Sequence, residues 1–91
     1  MNVTVKLQFP IGLADGRKLE EINLRRAKVR DMKTAQRATK DQIEQEILLL
    51  ATLSEERLTP EDIEELDAAD YAKIQDAFQR MVGAAGIPAA G

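Results

Sequence analysis

Six carboxylates fall within eighteen residues in the stretch LTPEDIEELDAADYAKIQ, Leu58 to Gln75. Acids at that density are the raw material of a divalent-cation site or of a general acid/base pair, and each chemistry makes a demand on spacing. A Ca²⁺ loop needs oxygen ligands at alternate positions and a glycine at its sharp turn. The run DAADYAKIQDAF has neither. An acid/base pair needs a cleft that holds substrate between the two carboxyls, which a chain of 91 residues is poorly sized to build. The chain has no Cys and no His, so thiolate nucleophiles, disulfides, zinc sites of the usual kind and imidazole catalysis are excluded by inventory. It also has no P-loop, GxSxG or HExxH motif. We expect a non-enzymatic protein with no catalytic residue, metal ligand or cofactor.

The second set of residues able to do chemistry is cationic. Residues 1–40 carry ten Lys/Arg against four Asp/Glu, a net +6, whereas residues 41–91 carry three against twelve, a net −9. The phosphate-contacting candidates in the basic region 25–40 are Arg25, Arg26, Lys28, Arg30, Lys33 and Arg37. No aromatic or Gly-rich element interleaves them, as it does in single-strand binders. The preferred reading is that this basic half faces the acidic half of its own chain or of a neighbour. A small nucleic-acid-binding or regulatory domain is the alternative function.

These residues must be positioned by one small domain, expected over residues 1–82. Only 3% of the chain is aromatic, so its core must come from Leu, Ile, Val, Met and Ala, which favours helix packing. The fold class expected is α+β, an N-terminal β-hairpin (1–26) followed by three to four α-helices (29–82). Val3, Val5, Leu7 and Phe9 alternate with Thr4, Lys6 and Gln8, the period of a strand with one buried face. Asp15-Gly16 marks the turn. Leu19, Ile22 and Leu24 form the second strand, and their change of phase predicts a bulge near Glu20-Glu21. The start MNVTVKLQF is too short and too alternating for a signal peptide, and no apolar run approaches a membrane span. Gly83 to Gly91 offer little to bury and are expected to form a disordered Gly/Ala-rich tail.

From Val29 the spacing turns helical, with Val29, Met32, Ala35 and Gln36 on one side, although Ala27-Lys28 supply no obvious cap. Thr39, with Gln42 three residues later, predicts a capping box for a helix running to about Leu53. On that helix Ile43, Ile47, Leu50, Ala51 and Leu53 form the expected core stripe. Leu48 and Leu49 project to flanks that also hold Gln45 and Thr52. The helix is therefore apolar more than halfway round, and either it is centrally buried or Leu48, Leu49, Gln45 and Thr52 meet a partner protein.

The acids themselves read as helix beginnings. Thr59 is an N-cap with Pro60 at N1, Asp62 at N3 and Leu58 stapled to Ile63. Eight residues later Asp67 is N-cap, Asp70 is N3 and Leu66 staples to Tyr71. The final helix, from Ala68 to about Val82, presents one stripe of Tyr71, Ile74, Phe78, Met81 and Val82 to the core.

The passage INLRRAKVRDM, with Leu24, Arg25, Val29 and Asp31, followed by EILLLATL and LTPEDIEELDAADYAKIQDAF, resembles the small tail assembly chaperones of long-tailed phages. That group includes the E protein of P2-like phages and its counterpart in Mu-like phages and prophages. The resemblance covers roughly Val3 to Val82. It implies a protein that binds the tape measure protein and keeps it soluble while tail tube subunits polymerise around it. Self-association is expected from the over-apolar helix and the opposite charges of the two halves, which could pair head to tail around a partner helix. The resemblance also implies action in the cytoplasm of the bacterial host and absence from the mature virion. It supplies no catalytic residues, and neither a membrane nor a nucleic acid is among the partners it implies.

Overall fold

The computed structural model describes residues 3–82; the expected tail, 83–91, lies outside the described residues. The architecture is α+β, a two-stranded antiparallel hairpin followed by four helices. In chain order the elements are β1 (Val3–Gly12), β2 (Lys18–Leu24), α1 (Val29–Ala38), α2 (Gln42–Leu53), α3 (Pro60–Glu64) and α4 (Ala68–Met81). The hairpin turn closes with the Leu13 amide donating to the Arg17 carbonyl at 2.7 Å and the Gly16 amide donating to the Leu13 carbonyl at 3.0 Å. Gly16 sits at φ +93°, a conformation a side chain would strain.

The irregularity of the hairpin lies in β1 rather than at Glu20-Glu21. Lys6 pairs with Glu21 and Ile11 with Leu19, so Leu7, Gln8, Phe9 and Pro10 stand opposite Glu20 alone. Pro10 has no amide to give a ladder and belongs at such a break. The extra residues of β1 absorb the phase change, and Leu19, Ile22 and Leu24 are all buried. The same excursion turns Phe9 outward. Expected beside Val5 and Leu7 on the inner face, it is 48% exposed while they are buried.

The amides freed from the ladder are taken up by α4. Asp70 accepts from the Gln8 amide at 2.8 Å and the Phe9 amide at 2.9 Å, one to each carboxylate oxygen. Its residue exposure is 0%. Lys73 places its ammonium 3.8 Å from the same carboxylate and donates to the Lys6 carbonyl at 2.8 Å. Burial pushes the Asp70 carboxyl up, but the two amides and Lys73 outweigh it and hold it below the usual carboxylate value. The capping role expected of Asp70 is thus corrected. Asp67 caps α4 by itself, accepting from the Ala69 amide at 2.9 Å, and Asp70 ties the helix to the hairpin.

The remaining caps divide in the same way. At α3 the Thr59 hydroxyl accepts from the Asp62 amide at 3.1 Å and the Asp62 carboxylate accepts from the Thr59 amide at 2.9 Å, as expected. At α2 the N-cap is Asp41, which accepts from the Glu44 amide at 3.0 Å. Thr39 instead ends α1, and its hydroxyl accepts from the Asp41 amide at 3.2 Å and donates to the Glu44 carboxylate at 2.8 Å. A carboxylate next to the first turn is at least as good a cap as a threonine two residues earlier.

At α1 the missing cap comes from within the helix. Asp31 accepts from the Lys28 amide at 2.8 Å and from both terminal nitrogens of Arg25 at 2.9 and 3.0 Å. Val29, expected on the inner stripe, is 74% exposed. It lies about 120° round the helix from Ala35, the buried residue of α1.

The core gathers the inner faces of the hairpin and helices around α2, which packs against α1 on one side and α3 on another while α4 packs against β1. The link after α2 is docked rather than merely polar. Ser54 is buried, accepting from the Leu58 amide and donating to the Ala51 carbonyl. The Glu56 carboxylate takes the Asn23 amide and side chain, and the Arg25 amide donates to the Leu53 carbonyl.

Candidate functional site

Burial along α2 changes along its axis as well as by face. Asp41 to Glu44 are exposed, Gln45 to Leu48 are partly covered, and Leu49 to Ala51 are buried. Ile43 lies only about 20° round the wheel from Leu50, yet it is 67% exposed and Leu50 is 1% exposed. The first turn of α2 therefore projects past the elements that cover its C-terminal half. One expectation is corrected by this gradient: Ile43, assigned to the core stripe, is a surface residue. Of the two readings of Leu49, central burial or contact with a partner, the first holds, at 8% exposure.

The uncovered apolar surface lies where α2 meets α3 and the start of α4. One hollow of about 410 Å³ is lined by Ile43, Ile47, Ile63, Glu64, Leu66, Ala68 and Tyr71. A second, of about 280 Å³, is lined by Ala38, Thr39, Glu44, Ile47, Leu48, Pro60, Glu61 and Glu64. Ile47 and Glu64 line both, so the two form one continuous surface. Tyr71 is fixed at its edge because its hydroxyl donates to the Glu46 carboxylate, which also accepts from the Gln75 amide at 2.6 Å. Burial and the neighbouring Glu46 push the Tyr71 phenol above its ordinary value.

Of the four residues expected to meet a partner, Leu48 is on this surface. Leu49 is buried on another side of α2, beside Met32 and Ala35 of α1 and Phe78 of α4. Gln45 is half-buried and donates to the Thr39 carbonyl at 2.8 Å, closing the α1–α2 link. Thr52 is exposed but lines neither hollow, and its hydroxyl donates to the Leu48 carbonyl. Ile43, Ile47, Leu66 and Tyr71, read from the sequence as core or staple residues, complete the surface, and Ile47, Leu66 and Tyr71 also pack against the core as expected. The signal for them is that Ile43 belongs to the first turn of a helix and Leu66 to the residues just before one, where neighbours on the far side are fewest.

The candidate basic residues of 25–40 make no ion pair with the acidic half among the described residues. Arg25 is engaged by Asp31, whose carboxyl is drawn down from 3.8 to about 2 by the guanidinium hydrogen bonds and the Lys28 amide. Arg26, Lys28, Arg30, Lys33 and Arg37 are exposed, and none makes an ion pair among the described residues. Arg30, Lys33 and Arg37 fall within about 60° of one another and lie almost opposite Ala35. Internal charge pairing between the two halves is corrected accordingly. No group of acids among the described residues is arranged to hold a metal ion, and no described helix is long and apolar enough to cross a membrane.

The family model described as phage tail assembly chaperone proteins, E, or 41 or 14, matches residues 4–83. The chain belongs to that family. The match runs from the second residue of β1 to just past the end of α4 of the tail assembly chaperone, so the α2–α3 surface and the basic face of α1 both lie within it. Its place of action is the host cell during tail assembly. No curated protein and no solved structure gives a match.

Proposed function

We propose that this chaperone binds the tape measure protein of its phage through the α2–α3 surface and keeps it soluble in the host cytoplasm until the tail tube closes around it. The role is non-enzymatic, and the chaperone is absent from the finished virion. The observation that carries this reading is Ile43, an isoleucine 67% exposed that lines one of two adjoining hollows, the other lined by Leu48 and joined to it through Ile47. An apolar groove between helices is the ordinary receptor for the apolar stripe of another helix, and a long helical protein awaiting assembly has such stripes uncovered.

Co-expression tests it. The tape measure protein should stay in the soluble fraction with the natural chaperone and move to the pellet with the Ile43→Asp variant, while circular dichroism shows that the variant itself is folded. Equal protection by the variant would overturn the assignment of the surface. A second reading rests on the unpaired cations of α1. Self-association or nucleic-acid binding through that face predicts larger species in light scattering, or a gel shift at low salt that weakens steeply as salt is added, and neither signal should survive reversal of Arg30, Lys33 and Arg37.

A further inference from the structure

The two hollows are rimmed by one sign of charge. Glu44, Glu61 and Glu64 line them, and no Lys or Arg does. Glu61 and Glu64 make no ion pair among the described residues, and Glu44 is met there by the neutral Thr39 hydroxyl. Glu61, in the first turn of α3, is favoured by the helix dipole. Glu64 has no such reason. It is in the last turn of a five-residue helix, where an acid is mildly disfavoured, and it stands beside both hollows without a partner. From this placement we infer that the surface selects amphipathic helices whose apolar stripe is flanked by lysine or arginine, a specificity that rests on the proposed binding role of the same surface.

The occupant is a helix of another protein rather than a second copy of this chain. The basic face of α1 has matching charge, but Val29 is its lone exposed large apolar residue, and one side chain cannot fill two adjoining hollows. A partner helix that places apolar residues at i, i+3 or i+4, and i+7 spans about 10 Å along its axis and can reach both. Its flanking cations then lie over Glu44, Glu61 and Glu64 at the rim. Charges so placed act on orientation and on the rate of encounter and are screened by salt. They also reject helices with acidic flanks, because like charges brought together across an interface are strongly unfavourable.

The test uses two synthetic peptides of about five helical turns with the same leucine stripe, one flanked by lysine and the other by glutamate. Fluorescence anisotropy measures both against the natural protein, the Glu61→Lys/Glu64→Lys variant and the Ile43→Asp variant. The lysine peptide should bind the natural protein at least about tenfold more tightly than the glutamate peptide. That preference should shrink with added salt and reverse in the double variant, and Ile43→Asp should weaken both peptides. Should the double reversal not fold, Glu61→Gln/Glu64→Gln is expected to level the two affinities. Equal affinities for the natural protein, both lost in Ile43→Asp, would retire the charge selection and leave the surface assignment standing. Peptide binding that ignores Ile43→Asp would retire both. Self-association that competes with the lysine peptide and disappears in the double variant would overturn the choice of occupant in favour of a second copy.

Discussion

The seam between α4 and the hairpin and the open surface between α2 and α3 are both built from apolar residues with acids beside them, and they end in opposite states. At the seam Asp70 is fully buried and both of its oxygens accept amides from the irregular part of β1. On the open surface Ile43 is 67% exposed, and Glu61 and Glu64 have no ion-pair partner among the described residues. An acid whose hydrogen bonds are complete inside the protein holds the fold together. Acids left unpaired around an uncovered apolar surface do little for the fold and are free to act on something else.

If that contrast is right, stability should be concentrated at the seam. Asp70→Asn keeps the shape but turns an amide nitrogen toward one of the two backbone donors, leaving it buried and unsatisfied. We expect the largest loss among single substitutions at these polar sites, a fall in Tm of about 10 °C or more, read by thermal circular dichroism. A fall of only a few degrees would mean that the hairpin does not depend on this tie.

A smaller loss is expected at α1. Asp31→Asn should cost about 1–2 kcal/mol in denaturant titrations, because the carboxylate both caps the helix and holds Arg25. Its pH dependence has a defined sign. The folded carboxyl lies near 2 and the ordinary value is 3.8, so its stabilisation is complete above the ordinary value and is lost as pH falls toward the folded one. The natural protein should lose stability across that window more steeply than Asp31→Asn, and parallel curves would break the assignment. Thr59→Ala should cost about 1 kcal/mol as a single cap, checked by the same titration.

The smallest effect on folding belongs to the open surface. Ile43→Ser should alter stability by no more than about 0.5 kcal/mol while markedly weakening capture of the tape measure protein. If stability falls as it does at the seam, the surface is core after all and the comparison collapses.

Much of this molecule is legible in its residues. The hairpin, the four helices, the Thr59–Asp62 box and the inner stripe of α4 follow from period and cap chemistry, both of which are local. Other features were not legible because they depend on what is absent or distant. A helical wheel orders residues by angle and says nothing of position along the axis, so Ile43 and Leu50 look alike although a neighbour covers only the second. Asp70 has the sequence context of a cap, and its partners are the amides of Gln8 and Phe9, some sixty residues away. The strand that carries the bulge, β1 rather than β2, is not legible either, because the apolar phase shows that register must slip but not which strand holds the extra residues.

Composition alone determined that this chain has no imidazole or thiol chemistry, and local pattern determined its α+β elements and the positions of most helix starts. Tertiary structure decided which acids hold the fold and which stay without an ion pair among the described residues, and which isoleucine is left exposed. The physical reason is that hydrogen bonding within a turn and the period of a helix are set by neighbours in the chain, whereas burial and the satisfaction of a carboxylate are set by whichever surface the folded chain brings against it.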